Sequence, residues 1–232
     1  MIQHEERILS IAHETLEREI AALRLLQRRL DDSFSSAVEA LHACSGRVIL
    51  TGMGKSGLVA RKIAATMTST GTPALFLHPA EAMHGDMGII QRGDVVVVLS
   101  YSGRTDETLV VAEYAHRNGN LVVAMTGCKE SPIASIADIH LDVSVESEDC
   151  IIEIVPTSST TAQIALGDAL ATALMHKRSF NAEAFARLHP GGYIERRLML
   201  DDGETTRGET TKGETTRGET TRGETTRGET TK

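Results

Sequence analysis

What the sequence most visibly lacks is a basic surplus. Its 24 Lys and Arg stand against 32 Asp and Glu, a net charge of −8, and no basic stripe interrupts that balance. Nucleic acid is thereby excluded as the main partner. A small anionic ligand, which needs only local positive groups, is not. Cysteine is also scarce: Cys44, Cys128 and Cys150 are widely spaced and form no Cys-x-x-Cys pair. That usage suits reduced thiols in a cytoplasmic protein better than a disulfide framework or a zinc cage. No apolar run reaches the ~18 residues of a membrane span, and no signal peptide opens the chain, so no membrane partner is expected. From Gly203 onward apolar residues vanish altogether. Residues 203–232 are six units of Gly-Glu-Thr-Thr followed by Arg or Lys. With nothing to bury, this tail should stay disordered. Each unit is neutral, so the negative charge belongs to residues 1–202, enough chain for one domain with a substantial core.

What is present is a regular alternation of elements. Leu9, Leu16, Ile20, Leu23 and Leu30 fall at spacings of 7, 4, 3 and 7, one apolar stripe on a long helix. Ser33 is placed to cap a second helix carrying Phe34, Val38 and Leu41. Residues 1–45 therefore read as N-terminal helices that pack on the domain's flank or on a partner subunit. From residue 46 the pattern changes. The stretch RVILTG reads as a buried strand, followed by a helix with Val59, Ile63 and Met67 at i, i+4, i+8. PALFLH and DVVVVLS give two more strands, then a helix runs from Thr105 to Asn118, where Gly119 stops it. LVVAMTG is a fourth strand and IHLDVSV a fifth. A last long helix in PTSSTTAQIALGDALATAL turns Ile164, Leu170 and Leu174 inward. Short, uniformly apolar strands alternating with helices indicate a mostly parallel sheet covered on both faces. The expected fold of residues 46–202 is thus a three-layer α/β/α sandwich with a sheet of about five strands.

In such sheets ligands sit beyond the carboxyl ends of the strands. Three stretches lie there: GMGKSG after the first strand, SYSGRT after the third and TGCKES after the fourth. GMGKSG is not a P-loop, because the first glycine that motif requires falls on Ile49, inside the strand. Gly52, Gly54 and Gly57 match the glycines of a dinucleotide fingerprint, but the acid that should bind the ribose is missing from TPALFLHPA at residues 72–80. Simpler chemistry remains. Ser100, Ser102 and Thr105 lie in a turn running into a helix, where hydroxyls and free amides can form a pocket for one phosphate. Ser56, near another helix start, can add a donor. The competing reading is that these hydroxyls only cap helices.

GMGKSG, STGTPALFLHPAEAMHGDMG, SYSGRTDE, PTSSTTAQIALGDALA and FARLHPGG together resemble the arabinose-5-phosphate isomerases of the sugar-isomerase (SIS) domain superfamily. The resemblance runs from about residue 5 to residue 200, with the motifs in the family's order. It implies interconversion of D-ribulose 5-phosphate and D-arabinose 5-phosphate, for the eight-carbon acid sugar of lipopolysaccharide or capsule. It also implies a homotetramer whose sites are completed by neighbouring subunits. The family's catalytic positions match Lys55, Glu107, Glu148 and His189. His84 matches a substrate-contacting histidine, and Gly71 and Thr72 fall in a substrate-contacting segment. His78 matches a position where zinc can bind without being needed for turnover, so no cofactor is required. Two departures stand out. Arg104 replaces the Glu usual in the phosphate turn, and EDCIIEIV replaces a loop that usually reads like EACPLGLA. The family's pair of regulatory CBS modules is replaced by the repeats, so sensing through such modules is not expected.

The chemistry suits this set. Aldose–ketose isomerisation moves one proton between C1 and C2, which a carboxylate can take and return through an enediolate. Lys55 can stabilise the oxyanion and a histidine can relay protons between oxygens. Glu148 is assigned as the carbon base, Glu107 as the second acid/base and His189 as the relay; on the residues alone the two glutamates' roles are interchangeable. Plainer readings stand beside each: Glu107 complementing a helix dipole, Glu148 in a solvated acidic loop, His189 as a turn residue. The alternatives for the whole chain are isomerisation of another sugar phosphate and a catalytically silent phosphosugar sensor.

Overall fold

The computed structural model describes residues 2–148 and 155–190, with side chains from residue 7. The repeats, residues 191–202 and the departing loop from Asp149 to Ile154 lie outside the described residues. One compact unit runs Met1–His189; a second begins at Pro190.

Two helices open the chain, α1 (Ile2–Arg29) and α2 (Asp32–Ala43). Five strands follow: β1 (Val48–Gly52), β2 (Ala74–Leu77), β3 (Val95–Leu99), β4 (Leu121–Thr126) and β5 (Ile139–Asp142). Between them lie α3 (Gly54–Ser69), α4 (Pro79–Met83), a 3-10 turn at Asp86–Ile89, α5 (Asp106–Arg117) and α6 (Pro132–Ile136). Helices α7 (Ser158–Lys177) and α8 (Ala182–Leu188) close the described chain. The five strands form one parallel sheet in the order β2-β1-β3-β4-β5.

Each apolar strand serves two cores at once. Val48, Leu50, Val95, Val97, Val123 and Met125 pack with α2, α3 and α7. Their sequence neighbours Ile49, Val96, Val98, Val122 and Ala124 pack with α4, α5 and α6. Successive strand side chains point to opposite faces, so a sheet covered on both sides needs apolar residues at every position. The expected three-layer sandwich is what forms, with Val59, Ile63 and Met67 of α3 all buried.

One local expectation is corrected. Helix α2 is capped by Asp31, whose carboxylate accepts the Ser33 amide at 2.9 Å, not by Ser33; Asp suits this position because a charged acceptor also complements the helix dipole. The bonds to Ser33 hold the Asp31 carboxyl below its ordinary range. Along α7, Ala162, Leu166, Leu170 and Leu174 are buried, while Ile164 is only partly so. On α1 it is Ala22 and Leu26 that bury against the domain. Leu9 and Leu16, at 62% and 58% exposure, face outward within this chain.

The strand order has one switch point. From β1 the chain moves outward to β2, then crosses back to start β3 on the other side of β1. Crevices at such points, beyond the strands' carboxyl ends, are where open α/β sheets bind ligands.

Candidate active site

Three helix starts gather at that edge. Helix α3 leaves β1 and α5 leaves β3, the two strands flanking the switch point. Helix α7 begins beside α3. The two run parallel and in step, since Lys62 pairs with Asp168, Ile63 fills the space where Gly167 has no side chain, and Arg178 Nε donates to Thr72 Oγ1 at 3.2 Å. The residues before α3 and α5, Met53 and Thr105, give their helices no side-chain cap. The first-turn amides of both helices therefore keep their donor capacity and the positive end of the helix dipole.

The turn after β3 is built for an anion. Ser100 is buried and its Oγ lies 3.2 Å from Thr105 Oγ1, so the Thr105 hydroxyl faces the turn and does not cap α5. Ser102 Oγ accepts the Arg104 amide at 3.3 Å. Gly103, at φ +63°, adopts the left-handed region and lies against Ser131 where any side chain would collide. The amide of Ile133 donates to Gly103 O at 3.2 Å and that of Gly127 to Tyr101 O at 2.8 Å. The turn is thus fastened to the TGCKES stretch behind it. There Thr126 Oγ1 donates to Cys128 O and meets His140 Nε2 at 2.8 Å, so the ring nitrogen is the donor in that contact. Burial pushes the His140 imidazole below its ordinary range.

The glycines of GMGKSG have a packing cause. A side chain on Gly57 would strike the Gly52 carbonyl, and one on Gly52 would meet Leu99 O at 2.8 Å. They let α3 approach β1 closely. Lys55 is exposed on the first turn of α3 and Ser56 is half-buried beside it. A depression of about 480 Å³ opens next to Lys55, also lined by Leu58, Arg61, Phe76 and His78. Arg61 lies 4.9 Å over the Phe76 ring.

Glu148 is not a solvated loop acid. Its Oε2 accepts the amides of Thr157 at 2.9 Å and Ser159 at 3.3 Å, which seats it on the start of α7. No described residue donates a hydrogen bond to Oε1. On α7 Ser158, Ser159 and Gln163 are fully or almost fully buried, with side-chain polar atoms that find no hydrogen-bond partner among the described residues. Glu107 stands half-buried on the first turn of α5.

The remaining sequence candidates lie elsewhere. His189 ends α8, stacked on Phe185 at 4.0 Å between ring centroids. Its Nδ1 is 2.9 Å from Phe185 O; a carbonyl only accepts, so Nδ1 carries hydrogen and Nε2 is the nitrogen left to exchange protons. Leu188, just before it, lines with Arg61, Ala65 and Phe76 an open depression on the outer flank of α3 and β2. Gly71 and Thr72 sit at the opposite, amino edge of the sheet, under Phe180 and Arg178. His84 is exposed at the end of α4. His78 precedes α4, and its buried Nδ1 has no partner. Among the described residues no three His, Cys, Asp or Glu side chains gather to hold a metal. No described helix is long and apolar enough to cross a membrane.

Sequence reasoning missed Tyr101. Its hydroxyl accepts the Val145 amide at 3.3 Å, across 44 positions, a contact that no spacing in the sequence signals.

Comparison with known proteins identifies the family. The arabinose 5-phosphate isomerase KdsD of Pseudomonas aeruginosa is 51% identical over 189 residues, 82% of this chain and 58% of that protein. The arabinose 5-phosphate isomerase GutQ of Escherichia coli K12 is 44% identical over 194 residues, 84% of this chain and 60% of that one. The chain thus spans about three fifths of the length of these curated relatives. A solved structure of c3406 from E. coli CFT073 in complex with arabinose 5-phosphate superposes with a TM-score of 0.77 at 34% identity, covering 80% of this chain and 98% of that one. The SIS domain profile matches residues 41–173, and with these relatives it shows that the chain belongs to the SIS domain family.

Proposed function

We propose that the chain is an aldose–ketose isomerase that interconverts D-ribulose 5-phosphate and D-arabinose 5-phosphate. The observation that carries this reading is the convergence at one switch point of an uncapped hydroxyl turn and three helix starts, bearing Lys55, Glu107 and Glu148. Ser100, Ser102, Thr105 and the amides of α5 grip the phosphate, with Ser56 adding a donor from α3. The names of the relatives KdsD and GutQ, and the sugar phosphate held in the c3406 complex, support the choice of sugar. The product would feed the eight-carbon acid sugar of lipopolysaccharide or capsule.

In the aldose-to-ketose direction, Glu148 takes the proton from C2 through Oε1. The electron pair forms the C1–C2 double bond of the enediolate as O1 gains a proton from Glu107. Lys55 offsets the charge on the oxygens. The proton then returns to C1 while O2 loses its own and becomes the carbonyl. His189, through Nε2, passes protons between oxygens, and His84 contacts the substrate. His189 enters this scheme from a neighbouring subunit, so the reading includes a homo-oligomer, a tetramer by the family resemblance. The outward apolar face of α1 is the surface for it. No step passes through a metal: zinc at His78 would be incidental. A cytoplasmic location completes the reading.

The test is to incubate the protein with ribulose 5-phosphate and follow arabinose 5-phosphate by NMR. Formation of the aldose supports the proposal. Tight binding of either sugar phosphate without turnover would replace it with a phosphosugar sensor.

A further inference from the structure

We infer that Tyr101 is a positioning residue that ties the anion-gripping turn to Glu148, so that the two halves of the site move as one piece. The inference rests on the isomerase reading for its kinetic arm alone.

Tyr101 stands between Ser100 and Ser102, and each of its parts is fastened. Its carbonyl accepts the Gly127 amide at 2.8 Å. Its ring lies where Gly127 has no side chain; a Cβ built there would fall 2.5 Å from the ring edge. The hydroxyl reaches past the end of the sheet to accept the Val145 amide at 3.3 Å. Val145 matters because of where it sits. Val143 is the last of this segment to bond to β4, its amide donating to Thr126 O at 2.9 Å. Three residues beyond Val145 comes Glu148, seated on α7. Between those two anchors the remote clasps among the described residues are Arg29, donating to Ser144 O at 2.8 Å, and Tyr101. Of the two, only Tyr101 belongs to the turn that holds the phosphate. An anion that orders Ser100 and Ser102 therefore also fixes the stretch that carries the carboxylate. Positioning of this kind acts on the chemical step, because a small misplacement of a reacting group is felt steeply in rate.

Tyr101→Phe keeps the ring against Gly127 and removes only the acceptor. We expect kcat to fall about tenfold while KM and competitive inhibition by inorganic phosphate stay within about twofold. In hydrogen–deuterium exchange, peptides covering Val145 should exchange faster in the variant, with the thermal melt little changed. Gly127→Ala, which pushes on the ring from behind, should reproduce the kinetic and exchange pattern, with some loss of thermal stability from overpacking. A loss expressed in KM and phosphate inhibition, or exchange at Val145 identical to the unmodified protein, overturns the inference. Should the unmodified protein turn over neither sugar phosphate, the isomerase reading falls and the exchange measurement still decides the role of Tyr101.

Discussion

Glu148 Oε2 lies 2.9 Å from the amide nitrogen of Thr157, so the carboxylate is held on the positive end of α7 by one oxygen. Gln in its place can accept the same amides but cannot take a proton from carbon. Glu148→Gln should lower kcat by about 10²–10⁴ while shifting folding stability by no more than about 1 kcal/mol. Steady-state kinetics and a urea melt on the same preparation check both halves. Unchanged turnover would remove Glu148 as the base.

Arg104 adds an exposed cation to the phosphate turn, its amide on Ser102 Oγ. Arg104→Glu should raise KM for the sugar phosphate roughly three- to tenfold in dilute buffer. The difference should shrink at about 0.5 M salt, where the Debye length falls to a few ångströms. A KM indifferent to both changes would place the guanidinium away from the ligand.

Gly57 meets the Gly52 carbonyl where a side chain would have to go. Gly57→Ala should cost about 1–3 kcal/mol of stability by overpacking α3 on β1. Because the first turn of α3 carries Lys55, activity should fall as well, and a denaturant melt beside an assay reads both.

His140 titrates below its ordinary value because it is buried, even though Asp142 pulls the other way. The sign follows from which state binds protons first. Below the unfolded value of about 6.5 the unfolded chain takes up a proton that the folded chain resists, so stability falls as pH drops toward the folded value. Above that value the contribution is flat. The urea midpoint should therefore drop less between pH 7 and pH 5 in His140→Gln than in the unmodified protein.

Chelation tests the metal-free mechanism. No described cluster of His, Cys, Asp or Glu could hold a cation, so activity should survive exhaustive EDTA treatment. A loss restored by zinc would mean that a metal participates.

The sheet was readable because a doubly covered strand leaves no polar position: VVVVL of β3 could be little else. The anion turn was readable for a similar reason, since small hydroxyls after a buried strand have few uses. Burial on helices was harder. The leucines of α1 outnumber the residues it buries, and Ala22, part of the true contact face, carries no hydrophobic signal of its own. Helix α7 packs against the sheet side and α1, α2 and α3 together, so several of its faces are apolar and Ile164 could not be told from Leu166. Least legible were contacts made across the fold. Glu148 sits among other acids in sequence, and the amides that seat it come from a helix nine residues further on. Tyr101 and Val145, 44 positions apart, have β4 and β5 between them in the sequence.

Helix α1 joins two distant regions of the molecule. Its outer half carries Leu9 and Leu16 into solvent, while at its inner end Arg29 holds Ser144 and pairs with Asp142 at 3.6 Å. A force applied to the far leucines would be felt, through one rigid rod about 40 Å long, at the strand end that leads to Glu148. The quiet exterior of the molecule is in this sense wired to its acid.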